Sequence, residues 1–168
     1  MILPSLTNEQ VEYLIQCADT TRDKAIISLF ADSGIRLNEL LHIRECDIDL
    51  GKMTVTVWGK GGKQREAPFT ERSRRLLEEV IRSKTNPNMW GLNRRGVQIM
   101  LYRIHKKTGL PCNPHTFRRT FASNLHRQGL DIEHIMRLGG WESLDMVVRY
   151  TRSVRFEESL KVYRGMER

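Results

Sequence analysis

The sequence predicts an α+β protein that is mainly helical, with a small antiparallel sheet formed by a hairpin near residues 53–69. Apolar residues recur every three or four positions through most of the chain, which is typical of amphipathic helices. The period changes to two between Met53 and Trp58, as in a strand. A glycine-rich turn at 59–63 separates this stretch from a candidate partner strand at 64–69.

The N-terminal third of the chain carries the signals of helix starts and stops. Thr7 and Gln10 have the spacing of a capping box, so a helix is expected to begin there. Gly34 is typical of a helix end and precedes Arg36 and Glu39, which fall near the start of a short helix. The helices expected in this third share apolar periodicity: one after Thr7, one over 22–32 and one over 36–43.

Helical periodicity returns after the hairpin. The later predicted helices cover 71–81, the stretch after Asn93, 114–127, 132–138, the stretch after Ser143, and the region of Phe156, Leu160 and Tyr163. Residues 84–88 are expected to form an exposed loop. The fixed φ of Pro114 suits a first helical turn, so His115 and Arg118 would share one face while Phe117 and Phe121 face inward.

Length and charge limit the kind of protein and its partners. A chain of 168 residues is long enough for one domain with a real core. Its 28 Lys and Arg exceed its 20 Asp and Glu by eight, and the pI is about 9.8. This balance favours nucleic acid as a partner. A protein that is merely basic remains the alternative at this point.

Cysteine usage and hydropathy predict a cytosolic location. The three cysteines, Cys17, Cys46 and Cys112, are an odd number without paired spacing, so we expect reduced thiols. No apolar run approaches the roughly 20 residues of a membrane span. The first residues lack the basic segment and long apolar core of a signal peptide.

The candidate functional residues are individually ambiguous. An arginine after a glycine turn is usually solvated or ion-paired, and a hairpin lysine usually serves solubility. A tryptophan or a helical tyrosine is usually part of a core. The candidates are Arg36, Lys60, His115, Arg118, Trp141 and Tyr150.

The order and spacing of the motifs change this assessment. Residues 33–40, S-G-I-R-L-N-E-L, resemble the first-arginine motif of the tyrosine recombinase (phage integrase) family. Residues 59–68, G-K-G-G-K-Q-R-E-A-P, resemble the lysine hairpin of that family. The segment H-T-F-R at 115–118 matches its H-x-x-R box. Trp141 precedes Tyr150 by nine residues, as the family's His/Trp position precedes its nucleophile.

The resemblance implies an integrase-type catalytic domain over residues 1–168 and extends over about 6–163. The DNA-clamping, core-binding domain that usually precedes this domain is not present, so we expect a fragment or a minimal member. Two positions depart from the common pattern. Trp141 stands where histidine is frequent, and its indole N–H is expected to donate instead. Arg119 also replaces a frequent histidine, without touching an assigned role.

The resemblance implies site-specific DNA recombination through a 3′-phosphotyrosyl intermediate. Tyr150 would attack the phosphodiester, and Arg36 and Arg118 would bind its oxygens, since guanidinium groups offer paired donors and keep their charge. His115 and Trp141 would add donors in the manner of an oxyanion hole.

The hairpin lysines and one carboxylate have implied supporting roles. Lys60 would protonate the 5′-oxygen leaving group as general acid. Lys63 would substitute for it or bind phosphate. Glu39 would orient Arg36 or His115 without touching the DNA.

This scheme requires no metal and no cofactor. The five histidines show no metal-binding spacing. Asp47 and Asp49 come nearest to a carboxylate cluster, and we interpret them as closing the turn before the first strand.

Duplex DNA is the expected partner. One predicted helix is loaded with positive charge, which favours contact with phosphates or a groove over a merely solubilising face. Its basic residues are Arg94, Arg95, Arg103, Lys106 and Lys107. Self-association on DNA, as a tetrameric synapse, is also expected, and the segment 153–168 would dock on a neighbouring copy rather than fold back. Type IB topoisomerase-like relaxation of DNA, and a non-cutting DNA-binding protein on the same scaffold, are the alternatives.

Overall fold

The computed structural model describes residues 4–151 and 156–166. The helices in these ranges are α1 (Asn8–Cys17), α2 (Thr21–Ser33), α3 (Leu37–Leu41), α4 (Glu71–Ser83), α5 (Arg94–Thr108), α6 (Pro114–Arg127), α7 (Ile132–Gly139), α8 (Leu144–Thr151) and α9 (Phe156–Gly165). The strands are β1 (Ile48–Asp49), β2 (Thr54–Trp58) and β3 (Gln64–Pro68). The predicted α+β class, mainly helical with one small antiparallel sheet, is confirmed.

The sheet has one strand more than the predicted hairpin. Strands β2 and β3 pair antiparallel, with Thr56 opposite Glu66, and the turn between them contains a short 3₁₀ segment, Lys60–Gly62. Strand β1 pairs with the other edge of β2 in the order β1-β2-β3, with Ile48 opposite Val55. Asp49 is the last residue of β1, and its carboxylate accepts a hydrogen bond from the Lys52 N–H at 2.8 Å, so it closes the turn before β2 as predicted. Strand β1 itself was not predicted, because two residues are too few to show alternation.

Helix α2 forms the centre of the main core. It packs against α1, α4 and α6, which cover it on several sides. It is therefore apolar around most of its circumference, as expected for a buried helix. Ala25, Ile26, Ile27, Leu29 and Phe30 are all fully buried.

A second, smaller hydrophobic cluster joins α6, α7 and α8. Its buried members are Phe121, Ala122, Ile135, Trp141 and Val147. Helix α6 belongs to both clusters, because Phe117 stacks on Phe30 of α2 at 5.9 Å between ring centroids, whereas Phe121 one turn later stacks on Trp141. Residues on the first turn of α6 consequently lie where the two clusters meet.

The predicted starts of α1, α5 and α6 are confirmed. Thr7 and Gln10 form the capping box of α1. The Asn93 side chain accepts a hydrogen bond from the backbone N–H of Gly96 at the start of α5. Pro114 occupies the first turn of α6. No helix in the described ranges is long and apolar enough to cross a membrane.

The exposed loop predicted after α4 is followed by buried residues. Residues 85–88 are exposed as expected, but the buried Met89 and Trp90 follow directly. The Trp90 indole N–H donates to the carbonyl oxygen of Leu40 at 2.9 Å and so ties this loop to α3.

The last predicted helix is present as α9. Residues 1–3, 152–155 and 167–168, which include parts of the 153–168 segment, lie outside the described residues.

Candidate active site

A left-handed turn at the end of α2 places Arg36. Gly34 has φ +64°, and a Cβ atom there would lie 2.6 Å from the Phe121 ring, so both backbone conformation and space require glycine. The chain then leaves α2 towards α3, and Arg36 stands at the N-cap position of α3 with an exposed side chain. Its backbone N–H donates to Glu39 Oε1 at 2.9 Å, which fixes the turn.

Arg118 is a buried cation with an incomplete set of partners. It lies one turn into α6 and is only 5% exposed. One terminal nitrogen, Nη1, donates to the Gly34 carbonyl oxygen at 2.6 Å, whereas the buried Nη2 has no hydrogen-bond partner among the residues that the structure describes. Burial, and then the neighbouring positive charges of Arg36 and Arg65, lower the pKa of the Arg118 guanidinium to about 9. A buried donor without a partner is costly unless a ligand supplies an acceptor.

Trp141 connects Arg118 with Tyr150. The Arg118 guanidinium carbon lies 4.0 Å from the centroid of the Trp141 ring, a cation–π contact. The Tyr150 ring, on α8, lies 5.6 Å from the Trp141 ring with a 47° tilt. The tryptophan is 4% exposed and also packs on Phe121. Trp141 therefore contacts both the guanidinium of Arg118 and the ring of Tyr150.

These residues line one open cleft between α3, α5, α6 and α8. The structure brings together five of the six predicted catalytic residues in it: Arg36, His115, Arg118, Trp141 and Tyr150. Arg94 and Gln98 of α5 line the opposite wall. Tyr150 is half-buried and His115 is exposed, so the cleft is open to a large ligand.

The sixth residue, Lys60, does not line the cleft. It is exposed on the β2–β3 turn, where Gly61 and Gly62 have φ of +73° and +76°. The base of the turn is close to α3, because a Cβ atom on Gly59 would lie 4.0 Å from Glu39 Oε2. Lys63 is exposed on the same turn.

The carboxylate of Glu39 is buried against an arginine that the sequence reasoning did not select. Besides the backbone N–H of Arg36, Glu39 accepts hydrogen bonds from Nε and Nη2 of Arg65, at 3.2 and 3.0 Å. Within the described residues, these groups are the hydrogen-bond partners of Glu39, rather than the guanidinium of Arg36 or the ring of His115. A signal existed: Arg65 lies two residues before the buried Ala67 and pairs with Val57, so strand alternation turns it towards the inward face.

The basic residues of α5 do not share one surface. Arg94 lines the cleft and donates to the Asn38 side chain at 3.2 Å. Lys106 lies over the Tyr102 ring. Arg103 lines a different hollow with Asp19 and Asp23. It lies on the opposite face of α5 from Arg94.

Lys107 also belongs to the side of the α1–α2 connection. It donates to the carbonyl oxygen of Cys17 at 3.0 Å and lies 3.7 Å from the Asp19 carboxylate.

Within the described ranges, no group of three or more His, Cys, Asp or Glu side chains has the geometry to hold a metal ion. The cysteines there are free thiols, and burial raises the pKa of Cys112 to about 12.

A model of the phage integrase family matches residues 4–156. The chain belongs to the phage integrase family. Among curated relatives, the tyrosine recombinase XerC of Staphylococcus saprophyticus is 38% identical over 156 residues, which are 84% of this chain and 52% of that protein. The tyrosine recombinase XerA of Pyrococcus horikoshii is 32% identical over 163 residues, 88% of this chain and 56% of that protein. This family member thus spans about half the length of the curated relatives it matches.

Solved structures confirm the integrase-type fold. The crystal structure of XerA recombinase superposes with a TM-score of 0.85 at 24% identity, over 100% of this chain and 67% of that one. The post-cleavage complex of XerH recombinase with its palindromic difH substrate gives 0.76 at 23% identity, over 98% of this chain and 54% of that one. The Tn1549 transposon integrase with circular intermediate DNA gives 0.75 at 19% identity, over 98% and 67%.

Proposed function

We propose that this domain cuts and rejoins duplex DNA at specific sites, with Tyr150 as the nucleophile of a 3′-phosphotyrosyl intermediate. The observation that carries the proposal is Arg118 itself, a buried guanidinium that contacts the same tryptophan as Tyr150 and whose Nη2 has no partner within residues 4–151 and 156–166. An anionic ligand in this cleft would accept from Nη2 and offset the burial of the charge. A backbone phosphate is such a ligand, and the named relatives are tyrosine recombinases.

The positive side chains are assigned to the phosphate. Attack on a phosphodiester builds negative charge on its non-bridging oxygens, and pre-positioned donors stabilise that charge. Arg36 and Arg118 would each offer paired donors to these oxygens. His115 and Trp141 would add further donors to this set.

The covalent step is an in-line exchange at phosphorus. The Tyr150 oxygen forms a bond to the phosphorus atom while the bond from phosphorus to the 5′-oxygen breaks, and the phenol proton passes to solvent. The electron pair of the broken bond stays on the 5′-oxygen, which takes a proton from the Lys60 ammonium. Lys63 would donate this proton in place of Lys60, or would contact a phosphate. A 5′-hydroxyl of another strand reverses the reaction, because the phosphotyrosyl bond conserves the energy.

Duplex DNA enters across the mouth of the cleft in this proposal. Arg94 and Arg95 at the start of α5 would contact backbone phosphates, and Lys106 would extend this contact along the helix. The solved XerH and Tn1549 integrase structures are complexes with DNA, which supports the assignment. The protein would then be associated with nucleoid DNA.

Assembly into a tetrameric synapse is part of the same proposal. Helix α9 contacts the end of α6 through Glu158 and Arg127, 3.7 Å apart. Its Phe156 and Tyr163 are nevertheless 74% and 65% exposed, so they are free to pack against a neighbouring copy.

Trapping on suicide DNA tests the proposal. A pool of 5′-labelled duplexes, nicked beside a randomised sequence, is incubated with the protein and resolved on a denaturing gel. We expect a covalent adduct that Tyr150→Phe abolishes, and that Tyr13→Phe, a change of an exposed tyrosine on α1, leaves intact.

Each other outcome contradicts part of the proposal. No adduct with the wild-type protein would favour a non-cutting DNA-binding protein. An adduct that survives Tyr150→Phe would require another nucleophile. Relaxation of supercoiled plasmid without joining of two duplexes would favour the topoisomerase-like activity.

A further inference from the structure

Arg65 makes three hydrogen bonds that join three elements around the cleft. From β3, its Nε and Nη2 donate to the two Glu39 oxygens of α3, and its Nη1 donates to the carbonyl oxygen of Leu138 in α7 at 3.2 Å. The side chain is 19% exposed and that of Glu39 is 3% exposed. This geometry uses the planar fork of a guanidinium in full, so a lysine cannot reproduce it.

The residues that Arg65 touches adjoin the candidate catalytic residues. Glu39 Oε1 also accepts from the backbone N–H of Arg36. The Leu138 carbonyl lies three residues before Trp141. Gly140, directly before Trp141, has φ +67°, and a Cβ atom there would lie 2.4 Å from Arg65 Nε. One side chain is therefore packed against the turn of Arg36 and the turn of Trp141 at once.

The same side chain also anchors the hairpin that carries Lys60. Arg65 is the second residue of β3, and the chain from Lys60 to Arg65 contains two glycines with positive φ. Residues 60–64 are exposed, and Arg65 is the first residue after the turn whose side chain is hydrogen-bonded to α3 and α7. Its hydrogen bonds to Glu39 therefore hold the C-terminal end of the turn against α3.

The alternative is that Arg65 has a purely structural role. Buried ion pairs are common and often contribute little net stability. Arg72 of α4 provides a comparison, because it is 26% exposed and donates to Ser28, Glu12 and Asp32. Arg72 lies outside the catalytic cleft, whereas every partner of Arg65 adjoins a cleft residue.

We propose that Arg65 is a positioning residue, which holds the β2–β3 hairpin against α3 and α7 so that Lys60 reaches the 5′-oxygen of the scissile phosphate. This inference rests on the proposed function. It makes a specific claim about one step: loss of Arg65 impairs protonation of the leaving group more than it impairs binding of the phosphate.

A sulfur substitution in the DNA isolates this step. In a 5′-bridging phosphorothiolate the leaving group is a thiolate, and the pKa of a thiol, about 8.5, lies far below the pKa of an alcohol. A thiolate therefore leaves without a general acid. The measured quantity is the ratio of single-turnover cleavage rates on the sulfur and oxygen versions of one suicide duplex selected from the randomised pool.

The expected pattern compares four variants with the wild-type protein. Lys60→Ala and Arg65→Gln should both be slowed about 10²–10⁴-fold on the oxygen duplex, the usual contribution of general acid catalysis, and largely restored on the sulfur duplex. Arg36→Ala should be slow on both duplexes. Arg72→Gln, the matched control, should match the wild-type protein on both. If Arg65→Gln does not fold in a thermal melt, Arg65→Lys carries the same comparison.

Two results would overturn the inference. Arg65 variants that are equally slow on both duplexes would show that the residue serves the fold or the phosphate contacts. Arg65 variants as fast as the wild-type protein would show no role in cleavage. Failure of the proposed function is a separate result, since the wild-type protein would then form no adduct on either duplex.

Discussion

At the residue scale, Arg118 combines deep burial with an unsatisfied donor. Burial and the charges of Arg36 and Arg65 disfavour its protonated form, which the lowered pKa expresses. In the free protein the guanidinium is therefore expected to contribute little to stability or to oppose it. Its partial compensation comes from the Gly34 carbonyl oxygen and the Trp141 ring.

We expect Arg118→Met to separate stability from activity. Methionine keeps an unbranched side chain over Trp141 and removes the buried charge, so the free energy of unfolding should stay the same or rise, by up to about 4 kcal/mol as for other buried ionic groups. Covalent adduct formation should fall by about 10²–10³ or more, because a phosphate donor is lost. Urea denaturation and the suicide-duplex assay measure the two effects. A large loss of stability would mean that the hydrogen bond to Gly34 outweighs the cost of burial.

Some residues of the cleft can be recognised from motifs in the sequence, whereas others are recognised only from contacts with residues far away in the chain. Arg118 and Tyr150 were selected because their spacing matches motifs, and the structure brings them into one cleft. Arg65 lies within one of those motifs, but the motif does not show its role, because that role depends on a hydrogen bond to Leu138, 73 residues away. Strand alternation shows which way Arg65 points, but no local pattern gives the identity of its partner.

At the element scale, the start of α6 sets the position of His115 and Arg118. The Asn113 side chain accepts a hydrogen bond from the backbone N–H of Thr116 at 2.9 Å, and Pro114 follows at the first helical position. This cap satisfies one of the free N–H groups of the first turn. The same turn carries His115, and Arg118 follows directly after it.

We expect Asn113→Ala to lower both stability and cleavage. Loss of the cap should cost about 1 kcal/mol in the free energy of unfolding, and fraying of the first turn should slow adduct formation measurably. Thr20→Ala is the control, because Thr20 caps α2 in the same way, by accepting from the Asp23 N–H at 3.1 Å, with no cleft residue in that turn. It should lose similar stability in urea denaturation and cleave at the wild-type rate. Equal cleavage by both variants would show that the first turn of α6 is held by its packing alone.

Long elements with clear caps were predictable, and short ones were not. The capping box of α1 and the Asn93 cap of α5 are local signals, and both occur where expected. Strand β1 was missed because it exists only through its pairing with β2. Trp90 likewise follows an exposed polar loop, and its burial depends on packing into the main core and on the hydrogen bond to the Leu40 carbonyl, which no local pattern shows.

At the scale of the whole molecule, the net charge of +8 is distributed unevenly. Many arginines are neutralised by carboxylates away from the cleft, such as Arg72 with Asp32 and Arg74 with Glu78. The cleft instead gathers Arg36, Arg94 and Arg118. The basic residues of the predicted helix α5 therefore do not form one surface. Arg94, at one end, faces the cleft, whereas Lys107, at the other end, faces Asp19.

This distribution predicts which residues contribute to salt-dependent DNA binding. Each neutralised phosphate releases counterions, so the logarithm of the binding constant falls with the logarithm of salt concentration with a slope of about −0.9 per contact. Arg94→Ala should make that slope shallower by about one unit, because the residue would face a DNA phosphate. Lys107→Ala removes the same charge but leaves the slope unchanged, because Lys107 is engaged by the Cys17 carbonyl and Asp19 on the other side of α5. Fluorescence anisotropy with a labelled duplex over a salt series measures both slopes. Equal reductions for the two variants would mean that binding responds to net charge alone, and DNA would then not be guided specifically into the cleft that contains Tyr150.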